Sequence, residues 1–141
     1  MKSTLKDFVI NNDLAEIDIL MEGILQLCRD NGIDEVVYYD IRLALEEAIS
    51  NTIKYGYEDQ LPHRIYVRAE MENQKLFLEI EDDAKAFNPL DSPNPDLALP
   101  AEEKPVGGLG IFLLRAVMDQ IEYRRNGARN ILRMTKSSSR I

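Results

Sequence analysis

Apolar positions recur at three- and four-residue steps along two stretches and at every second residue along several others, dividing the chain into helices and strands. Leu14, Ile17, Leu20, Met21, Ile24, Leu25 and Cys28 carry the helical period. Asp13, with Glu16 three residues on, has the spacing of a capping box before them. Asn31-Gly32 ends the helix, glycine being the usual residue for a left-handed terminal position. A second helix opens near Asp34 and is closed by Gly56, with Ile41, Leu45, Ala48, Ile49, Thr52 and Ile53 as its apolar stripe. In residues 64–71, Ile65, Val67, Ala69 and Met71 face one way and Tyr66, Arg68 and Glu70 the other, as in a strand with one buried face. Residues 75–82 alternate again after a short turn, which predicts a hairpin. Residues 3–10 read as an edge strand, and residues 121–125 and 129–136 as a second hairpin around Asn126-Gly127. The order strand, helix, helix, hairpin, loop, helix, hairpin predicts one α+β domain over 1–141, its helices on one face of a mainly antiparallel sheet.

Two stretches do not fit a plain core. On the second helix, Glu47, Asn51 and Lys54 recur at the same steps as the apolar stripe and therefore stack along another face. A solvated face with a polar pair would look the same. Residues 83–105 contain Pro89, Pro93, Pro95, Pro100 and Pro105, the mark of a long irregular loop, and loops of that length are lids, binding elements or disordered. Gly107, Gly108, Leu109 and Gly110 then run into the apolar stretch from Ile111 to Asp119. Glycines opening a helix gather backbone N–H groups and the positive end of the helix dipole at a spot that suits an anion, phosphate first, although glycines before a helix are often only a turn.

The 141 residues suffice for one self-supporting core. A hydrophobic fraction of 45 % and a charged fraction of 30 % are ordinary for a soluble globular chain. A net charge of −8 repels phosphate backbones, which argues against nucleic acid as a direct partner. No apolar run reaches the length of a signal peptide or a bilayer span, so the expectation is a cytoplasmic protein without a membrane partner. The single cysteine, Cys28, lies in an apolar helical pattern and reads as a small buried hydrophobe. His63, the single histidine, has no cysteine or second histidine with which to share a metal and reads as a surface residue at a strand start.

Three separated pieces stand in order: Glu47 and Asn51 within Glu-Glu-Ala-Ile-Ser-Asn-Thr-Ile-Lys-Tyr-Gly-Tyr, the strand end at Asp82, and Gly-Gly-Leu-Gly-Ile-Phe-Leu-Leu with Met-Asp downstream. Over nearly the whole chain they resemble the GHKL (histidine kinase-like) ATPase superfamily, and within it the anti-sigma factor serine-protein kinases. The resemblance implies a Bergerat-type two-layer α/β sandwich with a mainly antiparallel mixed sheet, binding ATP with Mg²⁺. Asn51 corresponds to the asparagine that ligates the Mg²⁺, Asp82 to the aspartate that accepts the adenine amino group, and Glu47 to the catalytic base. Gly107, Gly108, Leu109 and Gly110 correspond to the phosphate-wrapping turn, and residues 83–107 to the ATP lid with the first glycine box, where Ala86 falls among the nucleotide-binding positions. Lys54 would touch phosphate or balance Glu47, or is a plain surface lysine.

Departures from the pattern are as informative. Ala84 and Ala86 replace both glycines of the first box, and alanine resists positive φ. Val106 stands where some relatives carry an arginine, with Lys104 as a substitute, and Asn130 stands roughly where relatives place a threonine that reaches the base. The implied function is a partner switch: a serine kinase that phosphorylates a STAS-domain anti-anti-sigma factor and otherwise sequesters a sigma factor, commonly as a homodimer. The alternatives are an ATP-binding regulatory module with little or no catalysis and a detached histidine-kinase catalytic domain.

Overall fold

The structure is a computed structural model, and it describes residues 4–91 and 108–138. Among the described residues, five strands and three helices follow in the expected order: β1 (Thr4–Asn11), α1 (Glu16–Asp30), α2 (Glu35–Tyr55), β2 (Arg64–Glu72), β3 (Lys75–Asp82), α3 (Gly108–Val117), β4 (Gln120–Asn126) and β5 (Arg129–Ser137). A short 3-10 turn, Pro89–Asp91, follows β3. The strands form one sheet in the order β1-β2-β3-β5-β4. The mainly antiparallel sheet expected from the chain is antiparallel in each of its described pairings.

Strand parity decides which face the helices cover. Val67 pairs with Ile80 and Ile80 with Leu132, so the inward sets of β2, β3 and β5 lie on one surface. Ile65, Val67, Ala69, Leu76, Leu78, Ile80 and Met134 on that surface are at most 3 % exposed. Helix α1 covers it with Ile17, Leu20, Met21, Ile24, Leu27 and Cys28, and α2 with Val37, Ile41, Ala44, Leu45, Ala48 and Ile49. The opposite surface faces solvent with the ion pairs Arg68–Asp7, Arg129–Glu81 and Arg133–Glu79. Thr52 and Ile53, counted in the apolar stripe, are only half-buried, because the last turn of α2 runs past the edge of the core.

Local chemistry sets the element ends. Gly32 adopts φ +65°, the Ile33 N–H donates to Cys28 O at 2.9 Å, and the Gly32 N–H to Arg29 O at 3.2 Å, the paired bonds of a Schellman stop. Asp34 caps α2 by accepting from the Val36 N–H at 2.8 Å. The expected Asp13/Glu16 capping box is not formed: Asp13 accepts from the Ala15 N–H, while Glu16 reaches back past it to both the backbone and the side chain of Asn11. The aspartate is taken by its own turn, so the glutamate finds the strand end instead. In the second hairpin Asn126 pairs with Arg129, and the loop is Gly127-Ala128 rather than Asn126-Gly127. Gly127 at φ +60° supplies the first central residue that a type II′ turn requires.

His63 does more than begin a strand. Its Nε2 lies 2.7 Å from Asp59 Oδ1 and its Nδ1 3.0 Å from Asp83 Oδ2, and its ring stacks on Tyr57 at 4.4 Å. Two acceptors on one imidazole favour the doubly protonated ring, so hydrogen bonding to Asp83 and then Asp59 raises its pKa. The connection between α2 and β2 is thereby strapped to the residue after Asp82. Cys28 is 1 % exposed, and burial pushes its thiol up to about 11, which leaves it inert at neutral pH.

Two outcomes follow from this packing. Leu45→Ala should lower the unfolding free energy by about 3 kcal/mol in a urea titration, whereas Arg42→Ala, removing an exposed pair with Glu46, should stay within about 0.5 kcal/mol. The His63 ring protons should titrate above the ordinary histidine value of about 6.5, the strap being fully formed below that pH and lost as pH rises through the folded pKa. In Asp83→Asn the NMR midpoint should fall back; a midpoint at or below 6.5 in the native chain would break the assignment of two accepting carboxylates.

Candidate functional site

The far half of α2, the end of β3 with its following turn, and the start of α3 converge at one end of the sandwich. Burying Ile41, Leu45 and Ile49 fixes the rotation of α2, and that rotation turns Glu47 toward α3. A Cβ built on Gly110 would sit 2.9 Å from Glu47 Cδ and overlap its Oε2, so a side chain there would have to push that carboxylate aside. Adjacent Glu46 is engaged by Arg42 at 2.7 Å. Glu47, half-buried, makes no side-chain hydrogen bond or ion pair among the described residues, and its acceptor capacity is unspent.

Asn51 lies one turn further along the same face, half-buried and without a hydrogen bond among the described residues. Lys54 is exposed and makes no described contact. Gly108 and Leu109 open α3, while Gly107 and the stretch 92–107, most of the expected lid, lie outside the described residues. Lys136 fixes the other end of α3 by donating to Val117 O beside Asp40 at 3.4 Å. The cation sits where the helix dipole is negative, and the glycine end is left facing Glu47.

Asp82 occupies the last inward position of β3 and is 4 % exposed. Its Oδ1 accepts from Asn130 Nδ2 at 2.9 Å and from the Ala84 N–H at 3.0 Å. Burial raises the pKa of the carboxyl, and these two hydrogen bonds oppose that rise by favouring the anion. Nearby, the buried Tyr57 hydroxyl has no hydrogen-bond partner of good geometry among the described residues. Its burial, with the carboxylates of Asp82 and Asp83, pushes its ionisation up. Ala84 is buried and Ala86 exposed. The Lys85 N–H donates to Gly56 O at 2.9 Å, tying this turn to the end of α2. Gly56 has an ordinary φ of −87°; a Cβ there would lie 2.6 Å from Thr52 O and 2.7 Å from Ala84 Cβ, which is the room glycine leaves.

The structure thus brings Glu47 to Gly110, and Asp82 to the end of α2. Glu47 and Gly56 are separated by about 13 Å of helix, a distance over which one elongated ligand could touch both ends. No group of three histidine, cysteine, aspartate or glutamate side chains converges on a metal-sized point among the described residues. Asn51 fits a Mg²⁺ ion that takes its remaining oxygens from phosphates and water. Sequence reasoning missed Tyr57 and left Asn130 without a role. A signal for Asn130 was present: Asn130, Leu132 and Met134 share the inward parity of β5, and a polar side chain in that register must have a buried partner.

A family model described as the histidine kinase-like ATPase domain matches residues 10–136. The serine/threonine-protein kinase BtrW of Bordetella bronchiseptica is 26 % identical over 72 % of this chain and 71 % of its own. The anti-sigma F factor of Thermoanaerobacter sp. is 29 % identical over 76 % and 73 %. The serine-protein kinase RsbW of Listeria monocytogenes is 28 % identical over 59 % and 55 %. The crystal structure of the RsbU and RsbW domains of a Mycobacterium tuberculosis protein superposes with a TM-score of 0.71 at 13 % identity. That match covers 98 % of this chain and 33 % of the other, and it shows a shared fold. No helix among the described residues is long and apolar enough to cross a membrane.

The raised Asp82 pKa gives a stability test with a definite sign. The native chain keeps this proton to higher pH than the unfolded chain, so stability falls as pH rises from about 4 through the folded pKa, and the cost is in force at neutral pH. Asp82→Asn retains an oxygen for Asn130 and Ala84 but removes the charge. Its melting temperature at pH 7 should exceed that of the native chain, with the gap closing toward pH 4; a lower value at pH 7 would mean that the hydrogen bonds to the anion outweigh its desolvation. The match over residues 10–136 leads to one conclusion: the chain belongs to the histidine kinase-like ATPase domain family.

Proposed function

We propose that the chain is an ATP- and Mg²⁺-dependent serine kinase and anti-sigma factor, acting in the cytoplasm on a STAS-domain anti-anti-sigma protein and holding a sigma factor when that antagonist is phosphorylated. The observation that carries the reading is the Glu47 carboxylate, without a hydrogen bond or ion pair among the described residues, lying against Gly110 at the start of α3. A helix N-terminus attracts phosphate, so a base placed there stands beside the transferred group. Names of relatives support the kinase and anti-sigma roles. For the homodimer, the exposed edge of β1 offers unpaired strand groups.

In this reading Asp82 accepts the adenine amino group, and the N–H groups at Gly108–Gly110, continued by Gly107, wrap the phosphates. Residues 83–107 close over them as the lid. Asn51 is the protein ligand of the Mg²⁺, which when bound neutralises phosphate charge and orients the triphosphate. Lys54 lies within reach of the same phosphates. The substrate serine oxygen forms a bond to the γ-phosphorus while the bond from that phosphorus to the β–γ bridging oxygen breaks; ADP leaves, and Glu47 takes the hydroxyl proton.

A second reading, an ATP-binding regulatory module with little or no catalysis, is favoured by Ala84. Its methyl is packed against Gly56, where the family's glycine would let backbone approach a nucleotide. Transfer separates the two. With labelled ATP and a STAS-domain substrate, the native chain should yield acid-stable phosphoserine, and Glu47→Ala should lose about 100-fold or more in rate while still binding ATP. ATP uptake without transfer by the native chain would eliminate the kinase and leave the regulatory module. Acid-labile phosphate would point instead to histidine chemistry.

A further inference from the structure

Asn130 is the most heavily bonded side chain at this end of the fold. It is 7 % exposed and sits opposite Asp82 in the β3/β5 register. The two hydrogens of its Nδ2 are shared among Asp82 Oδ1 at 2.9 Å, Lys85 O at 3.0 Å and Ala84 O at 3.2 Å. Its Oδ1 accepts from the Tyr123 hydroxyl, from Arg125 Nη1 at 3.0 Å and from the Phe87 N–H at 3.4 Å. Arg125 Nη1 also reaches Ala84 O at 2.9 Å. One amide thus joins β3, the 84–87 turn and the β4/β5 hairpin.

The amide orientation is forced. A flipped amide would set its nitrogen against the Arg125 and Phe87 N–H donors and its oxygen against the Asp82, Ala84 and Lys85 acceptors. Asp82 Oδ1 is in turn filled by two donors, Asn130 Nδ2 and the Ala84 N–H, while Oδ2 accepts nothing among the described residues. A carboxylate whose one oxygen is saturated and whose plane is fixed presents the other oxygen in a single direction. Such a group accepts an amine and rejects a carbonyl at the same place, because two facing acceptors leave both unpaired.

The geometry points to Asn130 as a positioning residue that holds Asp82 and the 84–87 turn as one unit and thereby sets the choice of adenine over hypoxanthine, without touching the base. This inference rests on the nucleotide reading proposed above. It also accounts for an alanine-containing turn keeping one shape, since the Asn130 amide and Arg125 bind its carbonyls directly.

The test measures binding of ATP and of inosine triphosphate, which carries a carbonyl where adenine has its amine, to the native chain and to Asn130→Ala. The native chain should prefer ATP, and the variant should lose about tenfold of that preference through weaker ATP binding and little change for inosine triphosphate. A general structural defect would weaken both alike. A preference unchanged within twofold in a folded variant overturns the role of Asn130 alone; no saturable ATP uptake by the native chain overturns the nucleotide reading and this inference with it. Should Asn130→Ala not fold, the native ¹⁵N-labelled chain decides. ATP should shift the Asn130 side-chain NH₂ and the Ala84 N–H together, inosine triphosphate much less, and resonances that stay in place while the Gly110 amide moves would refute the coupling.

Discussion

The phase of α2 is the constraint on which the rest depends. Ile41, Leu45 and Ile49 are fully buried against the sheet, so the helix cannot rotate without withdrawing them from the core. Each such side chain is worth about 2 kcal/mol of burial, and together they outweigh any preference of the polar face. Glu47 is therefore placed by residues that never meet it, and its carboxylate arrives at Gly110 because the core allows no other rotation. Slipping α2 by one residue would turn Glu47 by about 100° and bring a neighbour into the gap.

That rigidity holds groups the fold would be more comfortable without. Asp82 is an ionisable group at an inward position, and its burial works against its charge. The Tyr57 hydroxyl is buried without a well-placed partner among the described residues. Neither is needed to close the sheet, whose register is fixed by the apolar residues preceding Asp82 on β3. Polar groups kept in costly places cluster at binding and catalytic sites, which supports the nucleotide reading proposed for this end of the fold. The strap made by His63 between Asp59 and Asp83 stiffens the neighbouring connection from outside, where solvent screens it and its cost is small.

Much of this was legible in the chain because period and parity are local properties. The alternation in β2 and β3 placed Ile65, Val67, Leu76 and Leu78 on one face, and the helical steps found the buried stripes of α1 and α2 except at their margins, where Leu14 precedes α1 and is exposed and Leu25, Thr52 and Ile53 are half-buried. Glu47 and Asn51 stood out as polar residues at helical spacing, and Asp82 through its position in a known motif order. What did not show were partners chosen in three dimensions. Glu16 could be assigned to Asp13 by spacing, but Asn11 competes for it only once β1 and α1 are brought together. His63 looked isolated because Asp83 lies twenty residues away and because nothing local shows that Asp59, four residues before it, turns back onto the ring. The contact between Gly56 and Ala84 likewise joins two segments with no common pattern.

That last contact explains how the departure from the glycine pattern is accommodated. Ala84 brings a methyl to the place where Gly56 has none, so the two positions are complementary, and the turn needs no residue of positive φ at 84 or 86. Its backbone groups are consumed within the protein: the Ala84 N–H by Asp82, Ala84 O by Asn130 and Arg125, the Lys85 N–H by Gly56 O, and Lys85 O by Asn130. A turn bonded in this way has few main-chain donors left for a ligand. On the proposed reading, the work that a glycine-rich turn would share falls to Asp82 at one end and to the start of α3 at the other. Recognition is then concentrated at two points about 13 Å apart along α2, and the geometry between them is set by the core rather than by the turn.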